Sequence, residues 1–186
     1  GAWDRNGNGS IDANEYTSAG GGLSSAFGDA AQALGENATA LGAGSTADAL
    51  ASTAVGAASS AVYKGTALGY GATASGNDST AAGIDSVASG SNSTAVGGIH
   101  DINRNGVVDP TDIAAASGNL ATAVGAAAQA GADNSIALGA DSNASGVGAV
   151  AIGASANASA TNSIALGFGS VANRANTVSV GAPGAE

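Results

Sequence analysis

The sequence predicts an all-β fold, a parallel β-roll built as a single-stranded β-solenoid with turns of fourteen residues, on three observations. The first is period. Residues 134–181 read NSIALGADSNASG, VGAVAIGASANASA, TNSIALGFGSVANRA and NTVSVG, and Gly139, Gly153, Gly167 and Gly181 stand fourteen residues apart, each preceded by an aliphatic residue. A fixed period this short marks stacked repeats, each unit too small to bury a core alone and stabilised by its neighbours. The second is alternation inside each unit, with period two on both sides of the glycine, which is strand periodicity. The third is composition: aromatic residues are 3% of 186 and glycines number 31, so the core is thin and made of small side chains. So much Gly, Ala, Ser and Asn would by itself suggest disorder, but the strict period argues against it.

In chain order, the first element is not a repeat. Residues 4–15, DRNGNGSIDANE, match the EF-hand calcium loop: oxygen side chains at positions one, three, five and nine (Asp4, Asn6, Asn8, Asp12), glycine at six (Gly9), an aliphatic at eight (Ile11) and a carboxylate at twelve (Glu15). A hard cation takes six to eight oxygens at about 2.3–2.6 Å, so Ser10 is expected to offer its backbone carbonyl and Glu15 to close the shell. Asp12 followed three residues later by Glu15 also reads as a helix start, predicting a short helical turn at the exit.

The repeats follow, with glycines at 28, 42, 56, 69, 83 and 97. The residue before each glycine is Phe27, Leu41, Val55, Leu68, Ala82 or Val96, and two residues earlier stands Ser25 or a threonine (Thr39, Thr53, Thr66, Thr80, Thr94). Between these columns lies alanine. A strand apolar on one face and Ala-lined on the other is expected to be buried on both. Five residues after each regular glycine comes another alanine (Ala33, Ala47, Ala61, Ala74, Ala88) behind a mostly polar neighbour, predicting a second, half-exposed strand with only small groups inward. Each unit is thus a buried strand, a glycine turn, an outer strand and a return turn, stacked on the next as parallel strands about 4.8 Å apart.

A second loop interrupts the array. Residues 101–112, DINRNGVVDPTD, repeat the calcium scheme with Asp101, Asn103, Asn105, Gly106, Val107 through its carbonyl, Asp109 and Asp112. Pro110 after Asp109 fits the first position of a helical turn. With aspartate in the last place this copy resembles the calcium loop of dockerin modules. The two loops share one register: Glu15 and Asp112 each lie thirteen residues before a repeat glycine, Gly28 and Gly125. The 97 residues from Asp4 to Asp101 make seven turns less one residue, and the gap from Gly56 to Gly69 is thirteen. Seven turns would hold Ile11 and Val108 roughly 34 Å apart, too far to pair as EF-hands do. Lone loops are expected to bind Ca2+ in the range of extracellular modules and to serve structure. The array resumes at Gly125 and runs through Gly181, with Thr122 giving way to Ile136, Val150, Ile164 and Val178.

Composition excludes several functions. Four Lys or Arg against fourteen Asp or Glu leave a net charge of -10, which argues against nucleic acid or an anionic membrane as partner. Without cysteine there is neither a disulfide framework nor thiol chemistry. No apolar run is long enough to span a bilayer, nothing at the N-terminus resembles a signal peptide, and the absent initial methionine suggests a fragment. The lone His100 adjoins a calcium-loop ligand and no nucleophile–base spacing accompanies it, so the chain is not expected to be an enzyme.

The segments NSIALG, VAIGASANASA and SIALGFGSVANRANTVSVG resemble the head repeats of trimeric autotransporter adhesins, the YadA-like surface proteins of Gram-negative bacteria. Residues 173–181 are similar to the point where such heads pass into a neck. The resemblance implies a left-handed parallel β-roll assembled as a homotrimer, held from the outer membrane on a stalk, with an anchor that is not in this chain. Small inward side chains are expected to bury too little apolar surface for one copy to stand alone, so identical copies must supply the rest. The residues alone do not separate the side-by-side homotrimer that the resemblance implies from a dimer. The implied organisation is a calcium-loop insertion at 1–17, head repeats at 18–97, a second insertion at 98–113, repeats at 114–181 and the start of a neck at 182–186.

The expected function is that of a cell-surface adhesin head, attaching to a host matrix protein, a glycan, another cell or an abiotic surface without touching a membrane itself. The alternative is an ice-binding β-solenoid, suggested by the threonine column and low charge. Against it, that column falls on the strand assigned to the interior and ends at Ile136.

Overall fold

The computed structural model describes residues 8–10, 12 and 15–182. They wind into an all-β parallel solenoid. Strands of three residues and of two alternate along the chain, and each kind stacks on its own into an eleven-stranded parallel sheet. The long-strand sheet runs from Ser25–Phe27 to Val178–Val180, and the short-strand sheet from Ser18–Ala19 to Val171–Ala172. Register is kept in phase by the repeat: Thr80 lies beside Thr94, and Ala81 beside Ala95. One turn is a residue short, pairing Thr53 with Thr66 and Ser60 with Thr73. The deletion sits in the return turn, where Gly65 occupies the place that Ser52 or Ser79 fills elsewhere and donates its N–H to Val62 O at 2.7 Å.

Between the two ends of the roll, each strand sends an alanine inward. Ala40, Ala54, Ala67, Ala81 and Ala95 from the long strands meet Ala33, Ala47, Ala61, Ala74 and Ala88 from the short ones, all buried. Two sheets linked by turns of a few residues leave a lumen that admits a methyl group and little more, so the large aliphatics point out. In the single chain the long strand is buried on its alanine face only, and the expected burial of its other face would take a partner copy. Leu41, Leu68, Leu138 and Leu166 are 41–44% exposed, and the threonine column lies half-buried on the outer face of the same sheet. Most short strands match their prediction, alanine inside and a polar residue outside, with Val87, Ala115 and Val171 as apolar exceptions at the outer position.

Sequence reasoning overlooked a column of buried serines. Ser45, Ser59 and Ser142 each donate a hydroxyl to the repeat-glycine carbonyl three residues earlier, and Ser52, Ser135 and Ser163 close the return turn in the same way. These hydroxyls fill lumen space while satisfying carbonyls that turn away from the ladders. The signal was present as serine immediately before strands. The repeat glycines are required by close approach. At Gly139 φ is +134°, and a Cβ there would lie 2.6 Å from the carbonyl carbon of Gly153 in the next turn.

The second insertion leaves between Thr94–Val96 and Ala115–Ala116 without disturbing either sheet, because Thr94 pairs with Thr122 and Val87 with Ala115 across a gap of two repeats. The first loop leads into Ser18–Ala19, so both sit at the same corner of the roll, at the start of a short strand. Their two short strands are six positions apart in the sheet, about 29 Å at ~4.8 Å per strand. The expected seven turns counted the first loop's own length as a turn of the roll. Among the described residues no helix is long and apolar enough to cross a membrane.

Candidate functional site

The two loops are built alike wherever both are described. Asn8 Nδ2 donates to Asp12 Oδ2 at 3.0 Å, as Asn105 Nδ2 does to Asp109 Oδ2 at 3.2 Å. Ser10 N–H donates to Asn8 Oδ1 at 2.8 Å, and Val107 N–H to Asn105 Oδ1 at 2.7 Å. Asp12 N–H donates to Glu15 Oε2 at 2.9 Å, and Asp109 N–H to Asp112 Oδ2 at 3.0 Å. The main chain closes the same turn in return, Glu15 N–H to Asp12 O and Asp112 N–H to Asp109 O, both 2.9 Å. The closing carboxylate supplies one half of a capping box, and the other bond of the pair runs main chain to main chain. The expected short helical turn is present at the first loop, where Glu15 is in 3₁₀ conformation, while at the second loop a hydrogen-bonded turn at Pro110 and Thr111 takes its place.

Of the predicted ligands, Asp4 and Asn6 lie outside the described residues, as does Ile11. In the second loop the whole set is described. Asp101 accepts from Asn105 N–H at 3.1 Å and from Gly106 N–H at 2.8 Å, winding the loop about its carboxylate. Asn103 Oδ1 takes a second bond from Asn105 N–H at 2.9 Å, while its Nδ2 donates to Asp109 Oδ2 at 2.9 Å. Asn103, Asn105 and Asp109 therefore converge on one oxygen. Gly106 carries φ +75° and Gly9 φ +82°, the left-handed conformation that position six needs.

The last carboxylates are the two largest fully buried side chains described, Glu15 and Asp112. Asp112 accepts Ile102 N–H on Oδ1 at 3.0 Å and Asp109 N–H on Oδ2, tying the loop's second residue to its ninth. Among the described residues no group of three or more His, Asp or Glu gathers tightly enough to hold a metal ion on its own. The donors at this loop are mixed carboxylate and amide oxygens, and each Asx oxygen bonded to one backbone N–H keeps a second lone pair. Such hard oxygen donors fit Ca2+ and not a soft metal. His100 pairs Nδ1 with Asp141 Oδ1 at 2.6 Å, joining the loop's entry to a turn of the roll.

A family model for the YadA head domain repeat, two copies long, matches residues 19–45, 33–59, 63–83, 74–98, 116–142, 144–170 and 161–182. The chain belongs to the YadA head family. Matched segments cover the roll and stop on either side of residues 99–115, so the second loop is an addition to the YadA-type pattern. A crystal structure of the collagen-binding domain of the Yersinia adhesin YadA is 31% identical, over 81% of this chain and 69% of that one, with a TM-score of 0.49. No curated protein matches the chain.

In this YadA-type roll the two sheets present different outer faces. The long-strand face carries Leu138, Ile152 and Leu166 in one column and Ile136, Val150 and Ile164 in the other, aligned strand to strand. The short-strand face carries Gln129, Asn143 and Asn157 at the corresponding height.

Proposed function

We propose that the chain is the adhesive head of a bacterial cell-surface protein, three copies packed side by side through their long-strand sheets, with one calcium ion ordering each loop. The observation that carries this is the outer face of the long-strand sheet. Two columns of mainly aliphatic and threonine side chains run along the eleven strands, and nothing among the described residues covers them fully. An apolar stripe of that length marks an interface, and identical copies in closed symmetry cover it with itself. The result is a stiff rod of non-enzymatic surface that displays the polar sheet and the loops.

Family membership supports placing this head on the surface of a Gram-negative bacterium. Collagen, named for the Yersinia domain, is the first ligand to test, beside glycans, other cells and abiotic surfaces. Binding of the purified head to at least one of these is expected, measured with calcium and with chelator. Failure to bind any of them at micromolar head concentration overturns the adhesive role.

Calcium is supported by the matching hydrogen-bond pattern of two loops 97 residues apart and by the left-handed glycine in each. Titration calorimetry should find two ions per chain at about 10⁻⁴–10⁻³ M, and Asp4→Ala with Asp101→Ala should abolish both. Unchanged metal content in that double variant would sink the assignment.

One observation favours the ice-binding alternative: the threonine ladder from Thr39 to Thr122 faces outward and not, as expected, into the roll. In the proposed trimer that ladder is interface. Thermal hysteresis in solution would reassign the face.

A further inference from the structure

The chain has two glutamines, Gln32 and Gln129, and both occupy one structural position. Each opens the short strand that pairs with the first strand after a loop, Gln32 beside Ser18 and Gln129 beside Ala115. Gln129 Nε2 donates to Ile113 O at 2.7 Å and to Pro110 O at 3.2 Å. Gln32 Nε2 donates to Tyr16 O. Tyr16 and Ile113 directly follow Glu15 and Asp112, the carboxylates predicted to close each calcium shell. The same position in turns that follow no loop holds shorter side chains, such as Thr46, Ser60, Thr73 and Asn157. A long side chain sacrifices rotamer freedom when fixed, and here it is fixed only where a loop exit lies within reach.

We infer that Gln32 and Gln129 are positioning residues for calcium, each clamping its loop's exit turn to the roll so that the buried closing carboxylate is held ready for the ion. The inference rests on reading the loops as calcium sites. The turn at the second loop is gripped from two directions. His100 N–H donates to Asp112 O at 2.7 Å from the loop's entry, and Gln129 holds the carbonyls of Pro110 and Ile113 from the neighbouring strand. With the turn fixed, the Asp112 carboxylate keeps its orientation through the Ile102 and Asp109 N–H groups. Without the glutamine the ion must supply that order itself, which weakens its binding; partners that orient ligands act on metal affinity in this way.

The test compares Gln129 with Gln129→Met, which preserves length and removes the donor, both in an Asp4→Ala background so that only the second loop reports. Calorimetry should show one calcium per chain, bound about five- to tenfold more weakly in the methionine variant. The thermal midpoint in chelator should stay unchanged while the calcium-dependent rise in midpoint shrinks. The mirrored experiment, Gln32→Met in an Asp101→Ala background, should weaken the first loop by a similar factor. Equal affinities with and without the glutamine overturn the inference and leave the calcium reading intact. A midpoint that falls equally in chelator overturns it too, assigning the glutamine to the roll alone. A background chain that takes up no calcium at all removes the calcium reading and the inference with it.

Discussion

The two sheets of the roll share one interior and differ only outside. From the long strands Ala137, Ala151 and Ala165 enter the lumen, and from the short strands Ala130, Ala144 and Ala158 do the same, all fully buried. Outside, Leu138 and Leu166 stand 41–44% exposed on the long-strand sheet, while the short-strand sheet shows Asn143 and Asn157. Space decides the inner face, because only a methyl or a hydroxymethyl fits between the sheets. For the outer face, the proposed trimer makes coverage by another copy the deciding factor. In this fold, size and hydrophobicity therefore separate: the most apolar side chains are the ones left out.

Four changes test that division, beginning with the most disruptive. Ala137→Leu forces a branched side chain into the lumen and should destabilise by about 3 kcal/mol or more, seen as a lowered thermal midpoint and lost β-sheet circular dichroism. A tolerated leucine would mean that the interior is looser than its alanines imply. Gly139→Ala, facing the Gly153 carbonyl at 2.6 Å with φ +134°, should cost about 2–3 kcal/mol by denaturant titration.

The outer faces call for a milder pair. Leu138→Glu with Leu166→Glu should leave the lumen untouched but convert the proposed trimer to monomer in sedimentation velocity, since carboxylates in a closed apolar interface lose their water without gaining a partner. An unchanged sedimentation coefficient would assign the interface elsewhere. The matching change on the other sheet, Asn143→Glu with Asn157→Glu, should alter neither assembly nor stability by more than about 0.5 kcal/mol. Dissociation by that second pair would reverse the roles given to the two faces.

The loops show how legibility depends on whether a residue's partner is near in sequence. Asn105 and Asp109, or Asp109 and Asp112, are bonded within a few residues, and their spacing alone placed them together. Gln129 reaches back to Ile113 across sixteen residues and His100 reaches Asp141 across forty-one. Neither contact has a local pattern. The glutamines did leave a trace, since both stand seventeen residues after a closing carboxylate, but only the stacking of turns turns that interval into a contact.

From the sequence alone came the fourteen-residue turn, the parallel stacking, the inward alanines of the short strands and the spacing of those loop residues that hydrogen-bond one another within a few positions. Each of these follows from steric rules acting over a few residues or from a period repeated many times, and repetition averages out local ambiguity. Tertiary structure alone decided which side of the long strand faces the lumen, that six strand spacings and not seven separate the loops, and that a glutamine from the next turn holds each loop exit. These depend on the distance between the two sheets and on where the chain returns after a full turn. A local pattern gives the alternation of a strand's two faces, but the closed roll determines which face has room for a leucine.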